Sequence, residues 1–267
     1  MMNNLTPVVK RLLIINLVVF ALMNLGGVSD ILLKYFALRN IGAPTFLPFQ
    51  YFTYMFMQQE FFHLFGNMLG LYVFGTWLER QWGSKRFLFY FLSTGVGAGL
   101  LYSLISYVEL MPLKEAANQF FGMPDPELFN SFLVRSGKHF FDNPHIQYVY
   151  EEFYKNPESA KWIAQAKKIV QQVYDLKINT PTIGASGAVF GVLLAFGMLF
   201  PNAELMLLFP PIPIKAKYLV LFYGAYEFYS SFQYNPNDNV AHFAHLSGML
   251  IGYLILRYWR KQNGHFY

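Results

Sequence analysis

Six apolar segments, each close to the length that crosses a lipid bilayer, constrain this chain more than any other feature: residues 12–28, 61–78, 87–108, 183–200, 216–233 and 240–258. A spanning helix needs about 20 mostly apolar residues. Inside hydrocarbon, backbone N–H and C=O groups must pair within the segment, which makes each of these a helix. Composition agrees. Of 267 residues, 55% are hydrophobic and only 13% charged, against about a quarter charged in soluble domains. Lipid rather than water therefore solvates much of the surface. The 19% aromatic content suits interfacial belts as well as a core. The expected fold class is an all-α polytopic membrane protein of six transmembrane helices, one membrane domain over residues 1–267.

Charge sets the orientation. Lys10 and Arg11 precede the first span, Arg80, Lys85 and Arg86 lie between the second and third, and Lys215 and Lys217 between the fourth and fifth. Arg257, Arg260 and Lys261 follow the sixth. With six alternating spans all four clusters fall on one side, expected to be cytoplasmic, with both termini there. No A-x-A site follows the first apolar run, so it reads as a retained span rather than a cleaved signal. The net charge of +5 is too small and scattered for a nucleic-acid partner. The absence of cysteine excludes disulfides, thiolate catalysis and Cys-ligated metals.

Two stretches fall on the opposite side. The loop of about 29–60 is aromatic (Phe46, Phe49, Tyr51, Phe52, Tyr54, Phe56) and suits the interface. The polar stretch of about 109–181 reads as a helical insertion outside the membrane. Asp125-Pro126-Glu127 and Asn156-Pro157-Glu158 are helix starts. Behind the second, Trp162, Ala166, Ile169 and Val173, with Ile163, Val170 and Tyr174, form an amphipathic stripe.

Polar residues within the spans carry the functional argument, because such groups are costly in lipid and face the bundle interior. Glu227 in the fifth span faces protein or water on that ground. His63 and Asn67 start the second span, Ser186 the fourth, and His242 and His245 the sixth. All three spans enter from one side, so these groups share a depth. Ser186 sits in Gly184-Ala185-Ser186-Gly187, where small neighbours let a substrate backbone approach the hydroxyl. By itself that motif fits helix packing as well as a nucleophile. Gly248 and Gly252 lie three and seven residues after His245, on the same helical face, which can press on the fourth span and bring the imidazole to Ser186. A serine hydroxyl needs such a base. His63 and Asn67, at i and i+4, fit either oxyanion donors or a polar pair joining two helices. His242 and His245 have the H-x-x-H spacing of metal ligands. No H-E-x-x-H is present and no acidic residue lies within three positions of either histidine, so no metal is expected.

Together Gly184-Ala185-Ser186-Gly187, His245 with Gly248 and Gly252, and His63-Leu-Phe-Gly-Asn67 resemble the rhomboid family of intramembrane serine proteases. The resemblance covers the six-span core and implies a rhomboid-like bundle of the bacterial six-span type, in the inner (plasma) membrane. It implies a Ser–His dyad of Ser186 and His245 without a catalytic Asp, and an oxyanion site from His63, Asn67 and the Ser186 amide. No cofactor is implied. The substrates would be transmembrane or membrane-proximal segments of other proteins, while oligomeric state is not implied. Glu79, after Gly75, looks like the family's structural acidic residue. Phe49-Gln50 stands where a Trp-Arg pair is usual in the first loop, and Phe190 where a tyrosine often lies beneath the histidine. The rival classes are a non-catalytic rhomboid-like client binder and a small-solute transporter. Retention of both serine and histidine counts against the first. The lack of an inverted repeat and the off-centre polar cluster count against the second.

Overall fold

The computed structural model describes residues 5–206, 211–233 and 241–263, with Lys138, His139 and Asn263 known in backbone only. Helices dominate. In chain order they begin with α1 (Pro7–Met23), α2 (Val28–Phe36) and α3 (Gln50–Thr53), the last followed by a 3₁₀ turn at Tyr54–Phe56. Then come α4 (Phe61–Gly70), a π-helical turn (Leu71–Gly75) and α5 (Thr76–Trp82), continuous with one another. Gly83, at φ +78°, breaks this run before α6 (Ser84–Gly122). The chain continues with α7 (Pro126–Ser136), α8 (Lys138–Phe141), α9 (Pro144–Lys155) and α10 (Ala160–Ile178). It closes with α11 (Ser186–Leu199), α12 (Ala216–Ser230) and α13 (His242–Asn263).

Each of the six apolar segments overlaps one of these helices, although residue 240 of the last lies outside the described residues. Among the described residues two helices, Phe61–Trp82 and Ser84–Gly122, are long and apolar enough on their own to cross a bilayer. The all-α expectation needs one correction. A two-stranded antiparallel hairpin, β1 (Glu204–Met206) and β2 (Pro213–Lys215), precedes α12, with Leu205 opposite Ile214. Pro211 and Pro213 explain it, since proline lacks the N–H and the freedom in φ that a helix interior requires.

The chain divides into two compact units. The first comprises residues 1–38, 47–102 and 181–267, and the second residues 39–46 and 103–180. The second thus begins earlier than the expected insertion of 109–181 and takes in part of the first loop. The boundary at 102 falls inside α6, which continues through Pro112 well past the expected span end at 108.

In the first unit, α1 lacks a hydrogen bond from its N-cap Thr6. Its first N–H groups go instead to Glu79 on α5. Val8 and Val9 each donate to one carboxylate oxygen at 2.9 Å, and Ser84 Oγ donates at 2.6 Å. An anion at a helix N-terminus satisfies orphan donors and the helix dipole together. Many large apolar side chains of this unit stay exposed, among them Leu17 and Val18 on α1, Phe62 (83%) on α4, and Leu221 and Phe222 on α12. Exposure of so many large apolar side chains fits a surface that faces lipid.

The second unit has its own core, in which Phe120, Phe129, Phe132 and Phe153 are fully buried beside Ala166, Ile169, Val170 and Val173 of the α10 stripe. Trp162, Ile163 and Tyr174 pack against it. Asp125 caps α7 as expected, accepting from the N–H of Glu127 and Leu128. The start expected at Asn156 differs. Asn156 Nδ2 donates back to the Glu152 carbonyl, so the residue closes α9, and α10 begins at Ala160. The turn Asn143-Pro144, unremarked in sequence, starts α9 through side-chain caps to His145 and Ile146.

Candidate active site

Ser186 is the first residue of α11, immediately after Gly184 and Ala185. Gly184 has φ +129° and donates its N–H to the Tyr54 carbonyl. That conformation strains any L side chain. A Cβ placed on Gly184 would lie 2.8 Å from His63 Cε1, 3.2 Å from His63 Nε2 and 3.5 Å from Ser186 Oγ. The hollow above this glycine is therefore shared by the imidazole of α4 and the hydroxyl of α11.

On the other side of Ser186, α11 and α13 come into backbone contact. A Cβ on Gly248 would fall 1.9 Å from the Gly187 carbonyl oxygen, and one on Gly191 3.1 Å from the Gly248 carbonyl. Gly252 faces the Tyr90 hydroxyl at 2.3 Å by the same measure, and that hydroxyl donates to the Gly191 carbonyl. The glycines expected to let these helices meet are thus the points where they touch. One turn before Gly248, His245 stacks on Phe190, ring centroids 4.2 Å apart and planes within 7°. Phe190 is one turn after Ser186 on the same helix, so the stacking fixes the imidazole on the helix that carries the hydroxyl.

Asn67 is buried, and its amide is held. Asn67 Nδ2 donates to Gln58 Oε1 at 3.0 Å, Gln58 Nε2 donates to Asn16 Oδ1 at 3.2 Å, and Asn16 Nδ2 donates to the Leu12 carbonyl. Gln58 and Asn16 are both fully buried. This relay ties α4 to α1 and leaves one amide hydrogen of Asn67 for another acceptor. Sequence reasoning missed Asn16 and Gln58, whose only signal is that each is an amide in apolar surroundings. In the first loop, Phe49 stays half exposed with its ring 5.9 Å from Phe36, while Gln50 is fully buried and donates to the Tyr35 carbonyl. Within the loop, α2, α3 and the 3₁₀ turn alternate with irregular chain at 37–49 and 57–60.

The largest departure from expectation lies behind His245. Sequence places no acidic residue within three positions of His242 or His245, but the fold brings Glu227 of α12 against both. Glu227 Oε2 is 2.6 Å from His242 Nδ1 and 2.9 Å from His245 Nδ1. All three side chains are buried. The His242 contact is a hydrogen bond, whereas His245 Nδ1 lies off the hydrogen-bonding direction. Among the described residues these three also form a group able to hold a metal ion, with ligand atoms within 4.8 Å of one another.

Against known proteins, the family described as Rhomboid domain matches residues 47–116 and 161–262. Rhomboid protein 1, mitochondrial, of Saccharomyces cerevisiae is 26% identical over 257 residues, covering 96% of this chain and 55% of that protein. An uncharacterized mitochondrial rhomboid protein of Schizosaccharomyces pombe is 27% identical over 216 residues, covering 78% of this chain and 51% of its own length. The chain thus spans about half the length of the curated relatives it matches. Both relatives are named as mitochondrial, which gives no support to the expected bacterial plasma membrane.

Proposed function

This chain belongs to the rhomboid family, and from that premise we propose that it is an intramembrane serine endopeptidase. It cleaves peptide bonds in or near transmembrane segments of other membrane proteins. In this reading the six apolar segments form the family's bundle, with 109–181 an extramembrane insertion. Ser186 Oγ attacks the scissile carbonyl. His245 takes the hydroxyl proton and later gives it to the leaving amine. His63, the remaining amide hydrogen of Asn67 and the Ser186 N–H meet the negative charge that develops on the carbonyl oxygen. Water then releases the acyl-enzyme.

The observation that carries this reading is the contact between Gly187 and Gly248. It holds the turn bearing His245 against the turn bearing Ser186, with Phe190 stacked on the imidazole. Such an arrangement supports acyl transfer over a purely structural role, since a packing serine does not need a stacked, buried base beside it. The test is the purified protein in liposomes with a fluorogenic transmembrane substrate. Ser186→Ala is expected to abolish turnover, and His245→Ala to lower kcat by at least about 1,000-fold. Cleavage that persists in Ser186→Ala would remove the nucleophile and the reading with it.

A further inference from the structure

A buried carboxylate behind the proposed base is not part of a two-residue serine–histidine mechanism, and its position calls for a role. Glu227 is 4% exposed, in the last turn of an apolar helix. An ionised carboxylate withdrawn from water is strongly unfavourable unless donors meet it. Here His242 Nδ1 does so at 2.6 Å, and His245 Nδ1 stands 2.9 Å from the same oxygen, Oε2, off the hydrogen-bonding direction. One carboxylate oxygen has two lone pairs and accepts two donors.

This geometry specifies a tautomer. If Nδ1 of His245 faces a carboxylate, the proton of the neutral ring resides on Nδ1, and Nε2 is left as the free base. Phe190 lies flat against the same ring, so the imidazole is restrained on its face and at one edge. Its other edge is then the only one available to a serine hydroxyl.

We propose, building on the protease reading above, that Glu227 is a positioning residue for His245. It holds the ring with Nδ1–H toward the carboxylate and Nε2 toward Ser186, making the site a Ser–His–Glu arrangement. When Ser186 Oγ bonds to the carbonyl carbon, its proton moves to His245 Nε2. The ring becomes an imidazolium that keeps its Nδ1–H facing Glu227. The carboxylate stays ionised throughout and balances that charge. On collapse of the tetrahedral intermediate the Nε2 proton passes to the departing amine, and His245 returns to the starting tautomer. His242, whose Nδ1 makes the shorter contact at 2.6 Å, anchors the carboxylate from the adjacent turn. The off-axis His245 contact matches the loose hydrogen bonds common in unliganded catalytic sites.

A metal ion is the alternative occupant of these three side chains. Tetrahedral zinc at about 2.0–2.1 Å from its ligands holds them roughly 3.3 Å apart. The contacts of 2.6 and 2.9 Å are shorter than that and fit direct donor–acceptor pairs.

The test compares Glu227→Gln, Glu227→Asp and Ser186→Ala in the full chain, reconstituted in liposomes, by kcat, KM and labelling of Ser186 with a fluorophosphonate probe. Glu227→Gln keeps the shape but can present an amide N–H to Nδ1 and favour the wrong tautomer. It is expected to lower kcat at least about 100-fold, and probe labelling in parallel, with KM within about twofold. Glu227→Asp, a carboxylate one methylene shorter, is expected to recover part of that loss. A Glu227→Gln protein keeping more than a third of the wild-type kcat, or Glu227→Asp no better than Glu227→Gln, overturns the proposal. Where the Gln variant does not fold, Glu227→Asp decides. A tenfold or greater loss of kcat at unchanged KM supports the role, and an unchanged kcat overturns it. Activity lost on dialysis against a chelator and restored by zinc reassigns the cluster to a metal and also overturns it. Cleavage by Ser186→Ala is a separate failure, that of the protease reading itself.

Discussion

At the scale of single residues, the amide of Asn67, an oxyanion donor in the proposed mechanism, is held from outside the site. One of its hydrogens is committed to Gln58, and Gln58 is in turn held by Asn16 on α1. Removing the acceptor frees the amide to rotate away from the developing oxyanion. Gln58→Ala is therefore expected to lower kcat by about tenfold with KM little changed. This is less than the roughly 100-fold or more that follows outright loss of an oxyanion donor. Steady-state kinetics on Gln58→Ala and Asn67→Ala checks this, and equal kcat in wild type and Gln58→Ala would remove Gln58 from the orienting role. The residues of the proposed site each carry a local signature in sequence: glycines around Ser186, a glycine face after His245, the i, i+4 pair of His63 and Asn67. Glu227, Gln58 and Asn16 have no such signature. Glu227 meets its partners 15 and 18 residues away across a connection between helices, and no periodicity links positions on separate helices.

At the scale of elements, the approach of α11 and α13 depends on the absence of side chains at Gly187, Gly191, Gly248 and Gly252. Within a membrane, small residues at such crossings let packing and close backbone contact replace the hydrophobic drive available in water. Gly248→Ala would set a methyl 1.9 Å from a backbone carbonyl oxygen, which cannot turn aside as a flexible side chain would. Overpacking of this kind costs about 1–3 kcal/mol or more. A displacement of about 1 Å at the reacting groups suffices for a 100-fold loss of rate. Gly248→Ala is expected to lower both the melting temperature and cleavage. Gly224→Ala on α12 is the control, since its methyl would meet only the mobile end of Met249 at 3.3 Å. Thermal denaturation in detergent with parallel activity assays separates the two. The apolar helices themselves were legible from hydropathy. Their ends were less so, as the hairpin before α12 and Asn156 show: proline and asparagine mark a boundary without saying which element it ends.

At the scale of the whole molecule, the chain holds two cores built on different principles. The first unit is apolar on its outside and polar where its helices converge. The second is apolar inside, as in a water-soluble domain, and its stability rests on the phenylalanine cluster. Phe129→Ala, which removes a ring 5.6 Å from that of Phe120 and 6.3 Å from that of Phe153, is expected to destabilise the second unit by about 3–5 kcal/mol. Val134→Ala, at an exposed position, should shift it by less than about 0.5 kcal/mol. Denaturation monitored by hydrogen exchange at α7, α9 and α10 distinguishes them. The stripe on α10 announced this second core in sequence. Its extension to residues 39–46 and 103–108 did not show, because those residues read as membrane loop and span. The π-helical turn at Leu71–Gly75 has a bearing on how the first unit is tied together. In an uninterrupted α-helix the 12 positions from Asn67 to Glu79 advance about 1,200°, leaving the two side chains roughly 120° apart in azimuth. A π turn absorbs one extra residue, about 100° of rotation, and brings them to within roughly 20° of one meridian. Both then address α1, Glu79 at its first N–H groups and Asn67 through Gln58 at Asn16, so one rephased helix clasps the same neighbour at two heights.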